Sequence, residues 1–193
     1  MPHSKKRGAR LGMVLTEALV AISTLAMGVI ALGTITQNSI GTTILAKDYL
    51  VARGLAKEGE EVVKNIRYTN WMLKPGDKSC WLRMDVAKDC STPVSGDYFV
   101  ASINNGTWIL TDKDANAPNL DVQNSPFQLH VGKDGYYQTA KDGVTTPSRF
   151  FRSIQLTDLA ADNSSATFNT KVQWKDGAKT LEINRSLTMY NYL

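Results

Sequence analysis

Apolar residues follow three successive patterns along the chain, of which the first is one uninterrupted run. This run, Met13–Ile35, has 23 residues and one charged residue, Glu17, and no basic residue lies between Arg10 and Lys47. A helix of that length crosses a hydrocarbon core of about 30 Å. Because four basic residues precede the run and none follows it closely, we expect a single-pass membrane protein with its N-terminus in the cytoplasm and its remainder exported.

The second pattern, over residues 37–70, is amphipathic. Apolar side chains recur at helical spacing within an arc of about 80° and predict a stripe that packs on a sheet: Ile40, Ile44, Val51, Leu55, Val62 and Ile66. The opposite face is charged, and its spacing predicts two ion pairs, Lys57–Glu61 and Glu60–Lys64. Since the next proline is Pro75, one helix can continue from the apolar run through this segment.

The third pattern, after Trp71, consists of short apolar segments separated by turn residues. They predict seven strands: Tyr98–Asn104, Thr107–Thr111, Phe127–Val131, Tyr136–Thr139, Arg149–Leu156, Thr167–Trp174 and Lys179–Met189. Asn105-Gly106 and the turn at residues 175–178 favour hairpins. The expected fold class is therefore α+β, with a long N-terminal helix whose second half packs on an antiparallel sheet. We expect four tryptophans in the core or in sheet packing: Trp71, Trp81, Trp108 and Trp174.

Charge changes one part of this picture. The 193 residues carry a formal net charge of +4, but residues 1–12 hold four of the 22 basic residues and no acidic one. The remainder therefore has 18 basic and 18 acidic residues. A protein that neutralises phosphates needs a basic surface, so we expect no nucleic-acid partner.

The junction between the basic tail and the apolar run carries the most specific motif. A secretory signal has an apolar region of about 7–15 residues and a small-residue cleavage site, whereas this run is longer and has no convincing A-x-A site. A plain membrane anchor leaves Glu17 unexplained, because a carboxylate at mid-depth costs about 2.5–3.5 kcal/mol. A basic leader that ends in Gly12, followed by the apolar Met13 and by Glu17 at the fifth position of the new chain, resembles the processing site of type IV prepilins.

The resemblance implies a processing pathway and a role for each residue of the motif. In that family a membrane aspartyl peptidase cleaves after the glycine and methylates the new amine, which places cleavage between Gly12 and Met13 and N-methylation on Met13. The resemblance also implies that Glu17 acts in filament assembly, where it meets the amine of a neighbouring subunit. Met13 stands where phenylalanine is more usual. The implied partners are prepilin peptidase, other pilin subunits in a helical filament, and the cytoplasmic membrane.

The implied domain organisation has four parts. Residues 1–12 form a basic leader, residues 13–36 the transmembrane and assembly half of the helix, and residues 37–70 its amphipathic half. Residues 71–193 form an exported, β-rich head of pilin-like architecture.

Three functions stay open at this point. The first is a structural subunit, a minor pilin, of a type IV pilus-like filament at the cell surface. The second is a pseudopilin of a type II secretion or competence system in the periplasm. The third, from another class, is a membrane-anchored envelope domain that binds a ligand or catalyses a reaction without assembling. Leader cleavage separates the first two from the third.

Two cysteines lie in the part of the chain that we expect to be exported. Cys80 and Cys90 enclose nine residues in a compartment where disulfides persist, and two cysteines with one distant histidine do not make a usual zinc site. We expect a disulfide, and two separate thiols are the alternative.

The remaining candidate chemistry is a calcium loop. Asp112, Asp114 and Asn116 place oxygen ligands at alternate positions, as Ca²⁺ prefers. Ala117 and Gln123 replace the glycine and glutamate of an EF-hand, so a solvated acidic loop is the simpler interpretation. The chain has no G-x-S-x-G, H-E-x-x-H or P-loop motif, and we expect no enzyme and no cofactor beyond this calcium hypothesis.

Overall fold

A long helix followed by an antiparallel sheet makes up the described part of the chain, which confirms the α+β class. The computed structural model describes residues 6–85, 89–90, 93–104, 106–113, 119–120, 125–139 and 145–191, with the backbone alone for residues 6–12 and 104. The elements are α1 (Lys6–Leu73), a 3-10 helix (Lys78–Cys80) and strands β1 (Tyr98–Asn104), β2 (Thr107–Asp112), β3 (Gln128–Val131), β4 (Tyr137–Gln138), β5 (Thr146–Leu159), β6 (Ser165–Asp176) and β7 (Lys179–Tyr190). Two compact units comprise residues 1–48 and 49–193.

The described part of the first unit is helical and its apolar side chains are exposed. Every large apolar side chain from Met13 to Ile44 is more than half exposed, between 52% at Ile44 and 75% at Met13. The predicted stripe is therefore wrong in its N-terminal part, because Ile40 and Ile44 lie in this unit, where the described residues include no strand that could cover them. By length and composition, α1 is able to cross a membrane.

In the second unit, residues 49–73 of α1 pack on the sheet. One group of small and apolar residues, Ala52, Leu55 and Ala56, belongs to a core cluster with Leu129, Phe150, Val172 and Trp174. A second group, Val62, Val63 and Ile66, belongs to a cluster with Phe99, Leu110, Ile154, Leu156 and Phe168. The predicted stripe is confirmed over this segment, because residues three and four positions apart bury one face of the helix.

The helix and the sheet approach each other most tightly at a glycine. A β-carbon placed on Gly59 would lie 2.5 Å from Cγ2 of Thr170 on β6 and 3.4 Å from Cδ of Arg152 on β5. Glycine inside a helix costs about 1 kcal/mol relative to alanine. That cost is offset here by close packing, because glycine places no side chain between α1 and the two strands.

The longest strand, β5, organises the sheet by pairing along both edges. One edge pairs with β6, from Phe151 to Leu159, and the other pairs with β3 near its start and with β1 near Ile154. Strand β5 is central, as the sequence predicts. It is longer than predicted, because the pairs of β5 with β3 begin at Thr146.

Two of the predicted hairpins form with short turns. The β6–β7 pairing is unbroken from Ser165↔Tyr190 to Asp176↔Lys179, so the turn contains only Gly177 and Ala178, and Gly177 has a positive φ of 59°. The four-residue turn predicted at 175–178 is corrected to two residues, since positive φ at glycine matches the strand twist of a tight hairpin. Strands β1 and β2 also pair antiparallel, from Phe99↔Asp112 to Asn104↔Thr107.

Three of the four tryptophans pack as predicted. Trp174 and Trp81 are buried and Trp108 is half-buried against the core. Trp71 is 54% exposed, which contradicts the prediction. It lies on α1 five residues after Ile66, and a turn of about 100° per residue takes it away from the buried face.

Candidate functional site

The predicted processing and assembly residues lie together in the first unit. Gly12, Met13 and Glu17 are all within α1, and the Met13 and Glu17 side chains are exposed. Residues four apart on a helix are neighbours on one face, with β-carbons about 5–6 Å apart. Glu17 therefore lies one turn from Met13, on the same side of the helix.

Hydroxyl groups in the apolar run are all satisfied within the helix itself. All five serine and threonine side chains between residues 13 and 36 donate to a backbone carbonyl three or four positions earlier, at 2.8–3.1 Å: Thr16, Ser23, Thr24, Thr34 and Thr36. Each hydroxyl proton thus has an acceptor without water. These residues fit a hydrocarbon environment, where an unpaired donor costs several kcal/mol.

Glu17 differs from these residues. It makes no hydrogen bond or ion pair with any residue whose side chain the structure describes, and no apolar cover shields it. A carboxylate can only accept hydrogen bonds, and the backbone N–H groups around it are already bonded along α1. In an apolar medium this group therefore needs a donor or cation, and residues 13–46 contain no basic side chain.

Around Glu17 the helix is apolar on every side. Val14, Leu15, Leu19 and Val20 are spread around the axis at a turn of about 100° per residue, and each is 62–65% exposed. A helix that is apolar all round is typical of a membrane span or of the interior of a bundle.

Cys80 and Cys90 form a disulfide, with their Cα atoms 4.8 Å apart. The Asp77 side chain accepts from Ser79 N at 3.0 Å and begins the 3-10 helix that carries Cys80. Lys74 Nζ lies 3.5 Å from Cys90 Sγ. Asp77 and the two sulfurs are close enough to share a metal ion, but bridged sulfurs offer no thiolate ligands, so this cluster does not fit a metal site.

The calcium hypothesis concerns residues at and beyond the end of β2. Asp112 is the last residue of that strand and is exposed. Asp114 and Asn116 lie outside the described residues, and the calcium site stays a prediction.

Two ion pairs between helix and sheet were not predicted from the sequence. Arg152 Nη1 on β5 lies 3.0 Å from Glu58 Oε1, and Arg185 Nε on β7 donates to Glu60 Oε2 at 2.7 Å. Hydrogen bonds from Lys64 and then Arg185 lower the pKa of Glu60. One feature of the sequence could have indicated these pairs. Each arginine occupies an inward position of its strand, and the residues two positions before and after it on the same face are apolar.

The surface pair predicted at Glu60–Lys64 is confirmed at 2.8 Å. The other pair is different from the prediction, since Glu61 bonds Lys64 at 3.1 Å and not Lys57. Lys64 therefore lies between two carboxylates one turn or less away, and hydrogen bonds from Lys64 to them raise its pKa.

Comparison of the chain with known protein families, with curated proteins and with solved structures finds no match.

Proposed function

We propose that this chain is a minor structural subunit of a type IV pilus-like filament. It is inserted in the cytoplasmic membrane through residues 13–36, is cleaved between Gly12 and Met13, and assembles through its apolar helix. The observation that carries the proposal is Glu17, an unpartnered carboxylate in a helix segment whose hydroxyl groups are otherwise satisfied internally.

Cleavage would create the partner that Glu17 lacks. The new amine of Met13 is a cation at neutral pH, and packed helices can bring the amine of one subunit beside Glu17 of another. A lone carboxylate in an apolar medium is costly, and an opposite charge with good geometry offsets that cost. A single helix in lipid keeps the cost and an assembled one relieves it, so the pair favours assembly and sets the axial register of neighbouring helices.

The packing of the second unit supports the proposal of a head domain that is held firmly by residues 49–73 of the helix. Residues 49–73 contribute to both core clusters and to the ion pairs with Arg152 and Arg185. Arg67 Nη2 also donates to the carbonyl of Tyr190, at 2.9 Å. A pilin-like head, in which a sheet packs on the exported half of the assembly helix, has this kind of construction.

Leader processing tests the proposal directly. The full chain is expressed in cells that have a working prepilin peptidase, and its intact mass is measured after extraction from the membrane. We expect a chain that begins at Met13 and carries one additional methyl group. Gly12→Val should block cleavage, because a branched side chain then occupies the position before the scissile bond. Gly8→Val, in the same leader, is the matched control and should be cleaved normally. A mature chain that begins at Met1 would overturn the proposal.

A further inference from the structure

Charged side chains surround the two sulfurs of the disulfide unequally. The carboxylate oxygen Oδ2 of Asp77 lies 3.2 Å from Cys80 Sγ. The ammonium group of Lys74 lies 3.7 Å from Cys80 Sγ and 3.5 Å from Cys90 Sγ. The sulfurs also differ in exposure, because Cys80 is 2% exposed and Cys90 is half-buried. The carboxylate therefore contacts the buried sulfur, and the ammonium group is nearer to the more open one.

The local backbone holds both charged groups beside the bridge. Lys74 follows the last residue of α1, and its N–H donates to the carbonyl of Asn70 at 3.0 Å. Asp77 Oδ1 accepts from Ser79 N at 3.0 Å and from Ser79 Oγ at 2.6 Å, while Asp77 Oδ2 contacts Cys80. The hydrogen bonds from Ser79 lower the pKa of Asp77, so this carboxylate is charged at neutral pH.

These contacts bear on how the disulfide can be opened. A thiolate attacks one sulfur, and the other sulfur leaves with the electron pair of the broken bond. Attack on Cys90, the more open sulfur, expels Cys80 as a thiolate that is buried beside a carboxylate, and both conditions disfavour negative charge. Attack on Cys80 would expel Cys90 beside the cation of Lys74, but Cys80 is 2% exposed. The accessible route thus has the poorer leaving group.

We propose that Cys90 is the site at which small external thiols form a mixed disulfide with this chain, and that Asp77 slows this step. The attacking thiolate forms a bond to Cys90 Sγ, the bond between Cys80 and Cys90 breaks, and its electron pair goes to Cys80 Sγ. A second thiolate then attacks the sulfur of the bound reagent and releases Cys90 as a thiolate beside Lys74. One disulfide of the protein is reduced to two thiols, and two reagent thiols are oxidised to one disulfide.

The consequence is that an exported head keeps its bridge longer in the presence of thiols than an accessible disulfide without the carboxylate does. This inference stands apart from the filament proposal, because it concerns the head whether or not the helix assembles.

The test measures reduction of the folded full chain, extracted from the membrane in mild detergent with its disulfide intact. Excess β-mercaptoethanol is added at a mildly alkaline pH, and samples are quenched with acid at intervals. Peptide mapping by mass spectrometry then measures the bridged, mixed-disulfide and reduced forms. We expect the mixed disulfide on Cys90.

Two variants should change the rate of reduction in opposite directions. Asp77→Asn removes the charge but keeps an oxygen that caps the 3-10 helix, and it should speed reduction by about three-fold or more. Lys74→Gln should slow reduction, because the cation near both sulfurs is lost. Asp162→Asn is the matched control. Asp162 Oδ1 also accepts from a backbone N–H two residues later, at 3.0 Å, but Asp162 does not belong to the cluster at the bridge, so this variant should be reduced at the wild-type rate.

Three reagents of different charge separate two effects of the carboxylate. If Asp77 disfavours the Cys80 thiolate, it slows neutral β-mercaptoethanol, cationic cysteamine and anionic mercaptoacetate alike. If it only repels the approaching reagent, it slows mercaptoacetate most and cysteamine least. We expect Asp77→Asn to accelerate all three reactions equally, within about a factor of two.

Three results would overturn the inference. One is a mixed disulfide mainly on Cys80 of the wild-type chain. Another is an Asp77→Asn variant that is reduced no faster than Asp162→Asn. The third is an acceleration that disappears with cysteamine. If Asp77→Asn loosened the segment, Cys80 would become accessible and the mixed disulfide would move to it, so the mapping distinguishes loss of structure from loss of charge. Lys74→Gln, which changes an exposed side chain outside the cap, keeps the test valid if Asp77→Asn fails to fold.

Discussion

Arg185 of β7 donates from Nε to Glu60 Oε2 of α1 at 2.7 Å, across 125 residues of sequence. Lys64 bonds the other oxygen of the same carboxylate at 2.8 Å. The Glu60 side chain is 12% exposed, so its charge is held by two cations at the boundary between helix and sheet. This relationship ties the last strand to the helix and makes the stability of the head depend on pH.

The first prediction concerns that pH dependence. The pKa of Glu60 is lowered from its ordinary value of 4.5, first by hydrogen bonds from Lys64 and then by those from Arg185. A lowered pKa in the folded state contributes stability above 4.5 that is lost as the pH falls through the folded pKa. Glu60→Gln should therefore destabilise the head by about 1 kcal/mol at pH 7, and the difference from wild type should shrink towards pH 3.

Urea unfolding followed by tryptophan fluorescence measures this difference, because all four tryptophans lie in residues 71–174. The free energy of unfolding of Glu60→Gln is subtracted from that of wild type at each pH. This subtraction cancels the contributions of other carboxyl groups with lowered pKa values, namely Asp77, Asp162 and Glu182. Glu61→Gln is the control, since the Glu61 side chain is 55% exposed. A difference that stays constant from pH 7 to pH 3 would contradict the prediction.

The close approach at Gly59 gives the second prediction. Alanine favours a helix over glycine by about 1 kcal/mol, but a β-carbon at residue 59 would meet Thr170 Cγ2 at 2.5 Å. We expect Gly59→Ala to destabilise the head by about 1–2 kcal/mol. Thr170→Ser removes Cγ2 and should restore most of the loss in the double variant. Gly54→Ala, where nothing lies within 4 Å, should instead stabilise the helix. A Gly59→Ala variant that is more stable than Gly54→Ala would contradict the prediction.

The third prediction concerns the disulfide. Non-reducing peptide mapping of exported protein should show Cys80 linked to Cys90, which are 10 residues apart. Cys90→Ala leaves the buried Cys80 in place and should lower the free energy of unfolding by about 2–3 kcal/mol, through loss of loop closure. Reduced wild type should match the variant. Free thiols at both positions, detected by alkylation of the exported protein, would contradict the prediction.

The fourth prediction concerns Glu17 and assembly. Glu17→Ala should leave membrane insertion intact or improve it, because a charged group leaves the apolar run. Both Glu17→Ala and Glu17→Gln should reduce incorporation into filaments, since glutamine keeps the size and polarity but not the charge. The measurement is the ratio of sheared surface protein to membrane-retained protein at equal expression. Thr16→Val, next to Glu17, is the matched control, because Thr16 donates within its own helix. Normal incorporation of both Glu17 variants removes the role proposed for this residue.

Local pattern in the sequence determined the elements and the candidate assembly segment. The helical stripe from Ala52 to Ile66, the tight turn at Gly177 and the exposed apolar run after Gly12 all depend on residues within a few positions of one another. Periodicity and turn chemistry act over that range, so composition and spacing are enough to predict them. The sequence also identified Glu17 by local pattern, because it is the one charged residue in an apolar run.

Tertiary structure alone decided which distant side chains meet. The pairs Arg152–Glu58 and Arg185–Glu60 and the contact of Gly59 with Thr170 each join separate elements. Strand β5 shares one edge between β1 and β3, and this arrangement sets which loops become neighbours. A period along the chain reports which face a residue occupies, but strand order and register determine what lies opposite that face. That is why the sequence predicted buried faces in the head and could not predict the partners across them.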